Sequence, residues 1–143
     1  MRTATAEETR ALGRRIAELL QGGENLLLFG ELGAGKTTLV QGLAASLGVT
    51  DPVKSPTYTY VREYPLGERL LAHFDLHRLP HPTNRRELEA LGLFERLADE
   101  NTIVVVEWAE RLGDDSNGLR IRLTESGDGR KVSLPGHLAE AKS

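Results

Sequence analysis

The apolar positions of the chain change period several times, and each change predicts an element. Thr5-Ala6-Glu7-Glu8 fits a capping box, and Leu12, Ile16, Leu19 and Leu20 recur behind it at helical spacing, so a first helix is expected up to Gly22-Gly23. Leu26 to Phe29 is an unbroken apolar run, the pattern of a strand buried on both faces. After a glycine-rich stretch from Gly30 to Gly35, Leu39, Val40, Leu43, Ala44 and Leu47 share one side of a second helix that Gly48 ends. Pro52 and Pro56 bias residues 51–57 toward loop. Thr57 to Tyr64 is rich in β-branched and aromatic residues and predicts a strand; Pro65-Leu66-Gly67-Glu68 predicts a turn, and Arg69 to Phe74 a returning strand that ends at Asp75. Asn84 can cap a helix carrying Leu88 and Leu91, broken or bent at Gly92 and resumed over residues 93–98. Ile103 to Val106 is a second fully apolar strand, ending at Glu107 and Trp108. Leu119, Ile121 and Leu123 alternate with Arg120 and Arg122, Asp128-Gly129 signals a hairpin, and Val132 and Leu134 alternate beyond it.

Helices and strands that interleave early and antiparallel strands that close the chain predict an α/β sandwich with a mixed sheet. At 143 residues one domain is expected, over residues 1–136, with 137–143 a polar tail. A chain of this size buries roughly two-thirds of its unfolded surface and needs no staples. The absence of cysteine excludes disulfides, thiolate metal sites and cysteine nucleophiles. No apolar run is long enough to span a bilayer, and Met1 to Thr5 carries no signal-like region, so a cytoplasmic protein is expected. The formal net charge of −3 argues against a chain that holds DNA or RNA alone by phosphate contacts, although a local basic patch is compatible with it. Arg85-Arg86 reads as a solvated helix face.

The strongest chemical signal is Gly30-Glu31-Leu32-Gly33-Ala34-Gly35-Lys36-Thr37, which fits G-x-x-x-x-G-K-S/T in full, between a buried strand and an amphipathic helix. The glycines permit close backbone approach, the loop N–H groups and the helix N-terminus attract phosphate, Lys36 can neutralise β- and γ-phosphates, and the Thr37 hydroxyl can sit on Mg²⁺. The candidate nucleotide contacts in this stretch are Glu31, Leu32, Gly33, Ala34, Gly35, Lys36, Thr37 and Thr38. This context refines the fold expectation to a three-layer sandwich of the P-loop NTPase kind, with a largely parallel sheet core and a C-terminal antiparallel hairpin. Two acids stand at strand ends, Asp75 and Glu107. The strand before Glu107 is the more apolar and is expected beside the P-loop strand, where a carboxylate can bind Mg²⁺ directly or through water; Asp75 would then orient the attacking water or lie one step out from the metal. Trp108, the only tryptophan, reads either as core packing or as a ring near the nucleotide. His73 and His77 fall across a strand end rather than on one helical face, so no zinc site is expected.

The P-loop followed by Ser55-Pro56-Thr57-Tyr58, His73-Phe74-Asp75-Leu76, Arg78 and Glu107-Trp108 resembles the TsaE (YjeE-type) ATPases, from about Thr9 to Trp108. These are small bacterial proteins needed for making threonylcarbamoyladenosine in tRNA. The resemblance implies that Ser55 and Thr57 lie on a first switch loop that senses the γ-phosphate and that Asp75 is the acid of a second. It implies that Glu107 joins Thr37 as a Mg²⁺ ligand, that Trp108 matters for activity, and that Thr9, with Arg130, approaches the nucleotide. It departs from the family pattern at His77, where tyrosine is common, and at Glu31, where aspartate is frequent. The implied activity is Mg²⁺-dependent ATP hydrolysis, weak alone and stimulated by TsaD and TsaB, which carry out the transfer and hold most of the tRNA. A P-loop small-molecule kinase with Asp75 as base, and a nucleotide-gated binding module, are the alternatives. No N-K-x-D guanine signature occurs, which favours ATP over GTP.

Overall fold

The computed structural model describes residues 1–20, 22–31, 34–50, 53, 60–77, 79, 84–112, 117–136 and 138. Their elements are β1 (Arg2–Thr3), α1 (Ala6–Leu19), β2 (Asn25–Phe29), α2 (Lys36–Leu47), β3 (Val61–Leu66), β4 (Arg69–Asp75), α3 (Arg85–Ala90), α4 (Leu93–Leu97), β5 (Thr102–Glu107), a short 3-10 turn (Ala109–Leu112), β6 (Leu119–Ser126) and β7 (Gly129–Ser133). The strands form one seven-stranded sheet in the order β1-β7-β6-β2-β5-β4-β3. β2 runs parallel to both β5 and β6, and β4 parallel to β5, while the β3–β4, β6–β7 and β1–β7 pairs are antiparallel. The α/β class, the parallel core and the closing hairpin are as expected.

Local signals explain most boundaries. Thr5 accepts from the Glu8 amide at 3.1 Å and Glu8 reaches back to the Thr5 amide at 3.1 Å, closing the capping box of α1. Gly48 ends α2 in the left-handed region, with φ +103°. Asn84 caps α3, and Gly92, at φ +77°, separates α3 from α4. Two expectations need correction. The strand expected over residues 57–64 starts, among the described residues, at Val61; residues 57–59 lie outside them. It also runs through Pro65 to Leu66, so the turn is tighter than expected. β3 is the edge of the sheet, where a residue without an N–H loses no ladder bond. β1 was not expected, because two residues are too few for periodicity to reveal.

One apolar layer lies between the sheet and the α1–α2 pair and includes Ile16, Leu28, Leu39, Leu43, Val105 and Ile121. Leu138, inside the segment expected as a polar tail, is buried in the same layer. The other layer puts Leu88 and Leu93 of α3 and α4 against Leu27, Phe74, Val104 and Val106. This second layer covers β4, β5 and β2. The same face of β6 and β7 carries exposed residues instead, among them Arg120, Arg122, Lys131 and Ser133. Among the described residues, no helix is long and apolar enough to cross a membrane.

The α1–α2 contact is a backbone contact. A Cβ on Gly42 would come within 2.0 Å of the Arg10 carbonyl oxygen, and one on Gly13 within 2.2 Å of the Leu39 carbonyl oxygen. Glycine inside a helix costs about 1 kcal/mol relative to alanine, so two helices lose stability intrinsically in order to approach this closely. Gly42→Ala is therefore expected to lower the urea midpoint despite its better propensity: the ~1 kcal/mol helical gain is outweighed by overpacking that costs about 1–3 kcal/mol or more when the neighbour is backbone. A raised midpoint would overturn the close-contact account.

Candidate functional site

The site forms where β2 gives way to α2. Gly30 has φ +148°, and a Cβ there would meet the Leu123 carbonyl oxygen at 2.5 Å, so both conformation and space demand glycine. Its amide donates to the Glu110 carboxylate at 3.1 Å. Gly35, at φ +100°, turns the chain into α2 and leaves the helix N-terminus without a side-chain cap. Ala34 donates back to the Glu31 carbonyl at 3.1 Å. Leu32 and Gly33 lie outside the described residues.

Lys36 opens α2 and is 96% buried, with only 4% of its surface exposed. Its ammonium donates to the Gly30 carbonyl and, at 3.4 Å, to that of Glu31. It also stands 3.9 Å from the centre of the Trp108 ring. Burial pushes its pKa below the usual lysine value of 10.5, and the nearby carboxylates of Glu110, Glu107, Asp75 and Glu31 oppose that shift. Trp108 is the only non-glycine residue at positive φ among the described residues, at +59°. Holding a bulky side chain there costs about 1 kcal/mol or more. The ring meets Lys36 and also His77, whose imidazole stacks on it with ring centres 4.9 Å apart. Trp108 packs partly against the second apolar layer while its ring meets the Lys36 ammonium.

Glu107 ends β5, directly beside Leu28 of β2 and Asp75 of β4. It is 2% exposed. The Thr37 hydroxyl donates to its two carboxylate oxygens at 2.9 and 3.1 Å. From behind, His73 Nε2 meets Glu107 Oε2 at 2.5 Å. A carboxylate only accepts, so Nε2 carries the proton. Asp75 accepts from the His77 amide at 3.0 Å. The central placement of the Glu107 strand is as expected. The part played by His73 was missed, although strand alternation, Leu71-His73-Asp75, puts it on the face of β4 that looks toward α2. Glu110 was also missed, since a 3-10 turn offers no pattern to read. Among the described residues no group of three or more His, Asp or Glu side chains is placed to hold a metal ion.

A cavity of about 110 Å³ adjoins the start of α2, lined by Thr3, Thr5, Thr9, Gly35, Thr38 and Arg130 among others. Thr9 and Thr3 share a hydroxyl–hydroxyl bond of 2.7 Å, and the Arg130 guanidinium donates to the Gly129 carbonyl at 3.0 Å. The pairing of Thr3 with Arg130 across β1 and β7 brings these residues, far apart in sequence, to one wall. The structure therefore gathers Thr9, Glu31, Ala34, Gly35, Lys36, Thr37, Thr38, Asp75, Glu107, Trp108 and Arg130 at one end of the sheet. Ser55, Thr57 and Arg78 lie outside the described residues.

The family described as threonylcarbamoyl adenosine biosynthesis protein TsaE matches residues 3–132. The chain is 40% identical over 129 residues to a Nostoc protein named tRNA threonylcarbamoyladenosine biosynthesis protein TsaE, covering 90% of this chain and 79% of that one. Proteins of the same name from Streptomyces coelicolor and Bacillus subtilis are 45% identical (80% and 76% covered) and 38% identical (89% and 78% covered). The crystal structure of Bacillus subtilis YdiB superposes with a TM-score of 0.76 at 30% identity, over 99% of this chain and 89% of that one.

Two outcomes follow from the buried charges. The lowered Lys36 pKa means that the unfolded chain holds this proton more tightly than the folded one. The charged amine thus subtracts from stability at neutral pH, and the penalty fades as pH rises from the lowered value toward 10.5. Lys36→Met should unfold at the wild-type temperature or above it at neutral pH, its advantage shrinking in alkali, as a thermal melt at two pH values would read. His73→Leu leaves the Glu107 carboxylate one donor short and should lower stability by about 2–3 kcal/mol in urea unfolding, with His73→Gln recovering part of it.

Proposed function

The chain belongs to the TsaE family, and from that premise we propose that it is the ATP-binding and ATP-hydrolysing member of the machinery that makes threonylcarbamoyladenosine in tRNA, working in the cytoplasm with TsaD and TsaB. The observation that carries the nucleotide part is the meeting of the Thr37 hydroxyl with both oxygens of Glu107, beside the Lys36 ammonium. A hydroxyl and a carboxylate are hard oxygen donors of the kind Mg²⁺ takes alongside substrate phosphates, so the residues fit that ion. Thr37 and Glu107 would hold Mg²⁺ there, and the ion would offset negative charge that develops on the phosphates in the transition state.

The remaining work belongs to the chain. The N-terminus of α2 and the P-loop amides attract the phosphates. Lys36 exchanges its two carbonyl partners for phosphate oxygens, a charge-assisted and therefore stronger interaction. Asp75, one strand over from Glu107, would orient the attacking water, a role supported by its place beside Glu107. That water attacks the γ-phosphorus, the bond to the bridging oxygen breaks, and ADP and inorganic phosphate leave. The cavity shared by Thr9, Thr38 and Arg130 takes the nucleoside end. The family match favours this reading over a kinase or a binding module, and no transfer of the threonylcarbamoyl group is assigned to this chain.

In a phosphate-release assay the isolated chain should turn over ATP slowly and require Mg²⁺. Adding TsaB and TsaD should raise the rate several-fold, and Glu107→Gln should suppress it with and without them. Equal turnover with and without the partners would remove the assignment of a partner-driven ATPase.

A further inference from the structure

The two carboxylate oxygens of Glu107 are not equivalent. The Thr37 hydroxyl lies within bonding distance of both and does not single one out. His73 does: its Nε2 meets Oε2 at 2.5 Å. It reaches Oε2 from the neighbouring strand, since His73 pairs with Val105 in the β4–β5 register, and Val105 and Glu107 share a face of β5. Both side chains are shut away from water, at 0% and 3% exposed. A histidine is costly there. Its other ring nitrogen, Nδ1, is buried without a partner among the described residues, and an unsatisfied buried polar atom lowers stability. The neighbouring β4 positions Leu71, Ala72 and Phe74 are apolar and fully buried, so packing alone calls for an apolar side chain at 73. What the imidazole adds is one N–H aimed at one oxygen of Glu107.

We infer that His73 is a positioning residue that selects the cation: it engages Oε2 and leaves Oε1 as the one strong oxygen donor of Glu107, which favours Mg²⁺ over Ca²⁺. The inference rests on the reading that Thr37 and Glu107 hold Mg²⁺. The two ions ask different things of a carboxylate. Ca²⁺ gathers roughly six to eight oxygens at about 2.3–2.6 Å in a flexible shell and often takes both oxygens of one carboxylate. Mg²⁺ demands a near-ideal octahedron at about 2.0–2.1 Å and draws few of its ligands from protein. A hydrogen bond to Oε2 draws charge from that oxygen and fixes the carboxylate plane from the neighbouring strand. One well-placed oxygen then meets the demand of Mg²⁺, while the second oxygen that Ca²⁺ favours is already engaged. His73 is not itself a ligand, because the nitrogen that faces Glu107 carries the proton.

The test is the affinity of a non-hydrolysable ATP analogue for the full chain, measured by calorimetry in excess Mg²⁺, in excess Ca²⁺ and in EDTA. The wild-type chain should bind more tightly with Mg²⁺ than with Ca²⁺, and more weakly again in EDTA. His73→Leu should cost the Mg²⁺ complex about tenfold or more in affinity, the usual effect of removing a residue that orients a metal ligand. The Ca²⁺ complex should change much less, so the ratio of the two affinities collapses. His73→Gln keeps an N–H in the place of Nε2 and should restore most of the ratio. His73→Phe fills the volume of the ring without a donor, and it takes the place of His73→Leu if that chain is unfolded at the assay temperature. A donor-less variant that keeps the wild-type ratio, or that weakens both complexes alike, overturns the inference while leaving Mg²⁺ at Thr37 and Glu107. So does a wild-type chain with no preference for Mg²⁺ over Ca²⁺, or a His73→Gln chain with the ratio of His73→Leu. Wild-type binding that is the same in EDTA as in Mg²⁺ removes the ion from Thr37 and Glu107, and the inference falls with that reading.

Discussion

A carboxylate cannot be withdrawn from water without donors to replace the water, and the buried end of β5 is organised around that requirement. Glu107 receives one donor from α2, through Thr37, and one from β4, through His73. The three elements that make the site are thereby tied at a single point. The tie also explains why the strand must be central. Only a strand end beside β4 and facing the start of α2 can receive donors from both. Lys36 faces the same desolvation with the opposite sign, and its solution is different: two backbone carbonyls, an aromatic face and several carboxylates at longer range.

The rest of the fold delivers α2 to that point. Parallel neighbours require crossovers, and the crossover helix after β2 meets α1 backbone to backbone at Gly13 and Gly42, with Leu12, Ile16, Leu39 and Leu43 packed in the same layer. Backbone against backbone leaves little freedom to slide. The position of Lys36 and Thr37 along the helix axis is therefore set by Gly13 and Gly42, roughly two turns away. On the far side, Glu110 holds the Gly30 amide and closes the loop's other end.

Much of this was legible in the sequence because it depends on neighbours along the chain. The capping box of α1, the break at Gly92, the apolar runs of β2 and β5 and the P-loop pattern each lie within a few consecutive residues. What was not legible depends on pairing across the chain. β1 is two residues long and exists only because β7 offers it an edge. His73 looks like an ordinary strand residue until β5 is laid beside β4. Pro65 reads as a turn until β3 is seen to be the outermost strand, where its missing N–H has no partner to lose. The candidate site divides in the same way. Gly30 to Thr38 announces itself, whereas the joining of Thr9 and Arg130 in one cavity wall needs the sheet to be complete.

The left-handed turn at Trp108 has one more consequence. The chain contains a single tryptophan, and its indole contacts both an ammonium and an imidazole. Its emission therefore has no second source to dilute it, and its ring lies against the Lys36 ammonium. The molecule carries its own optical gauge of the surroundings of Lys36, readable without a label.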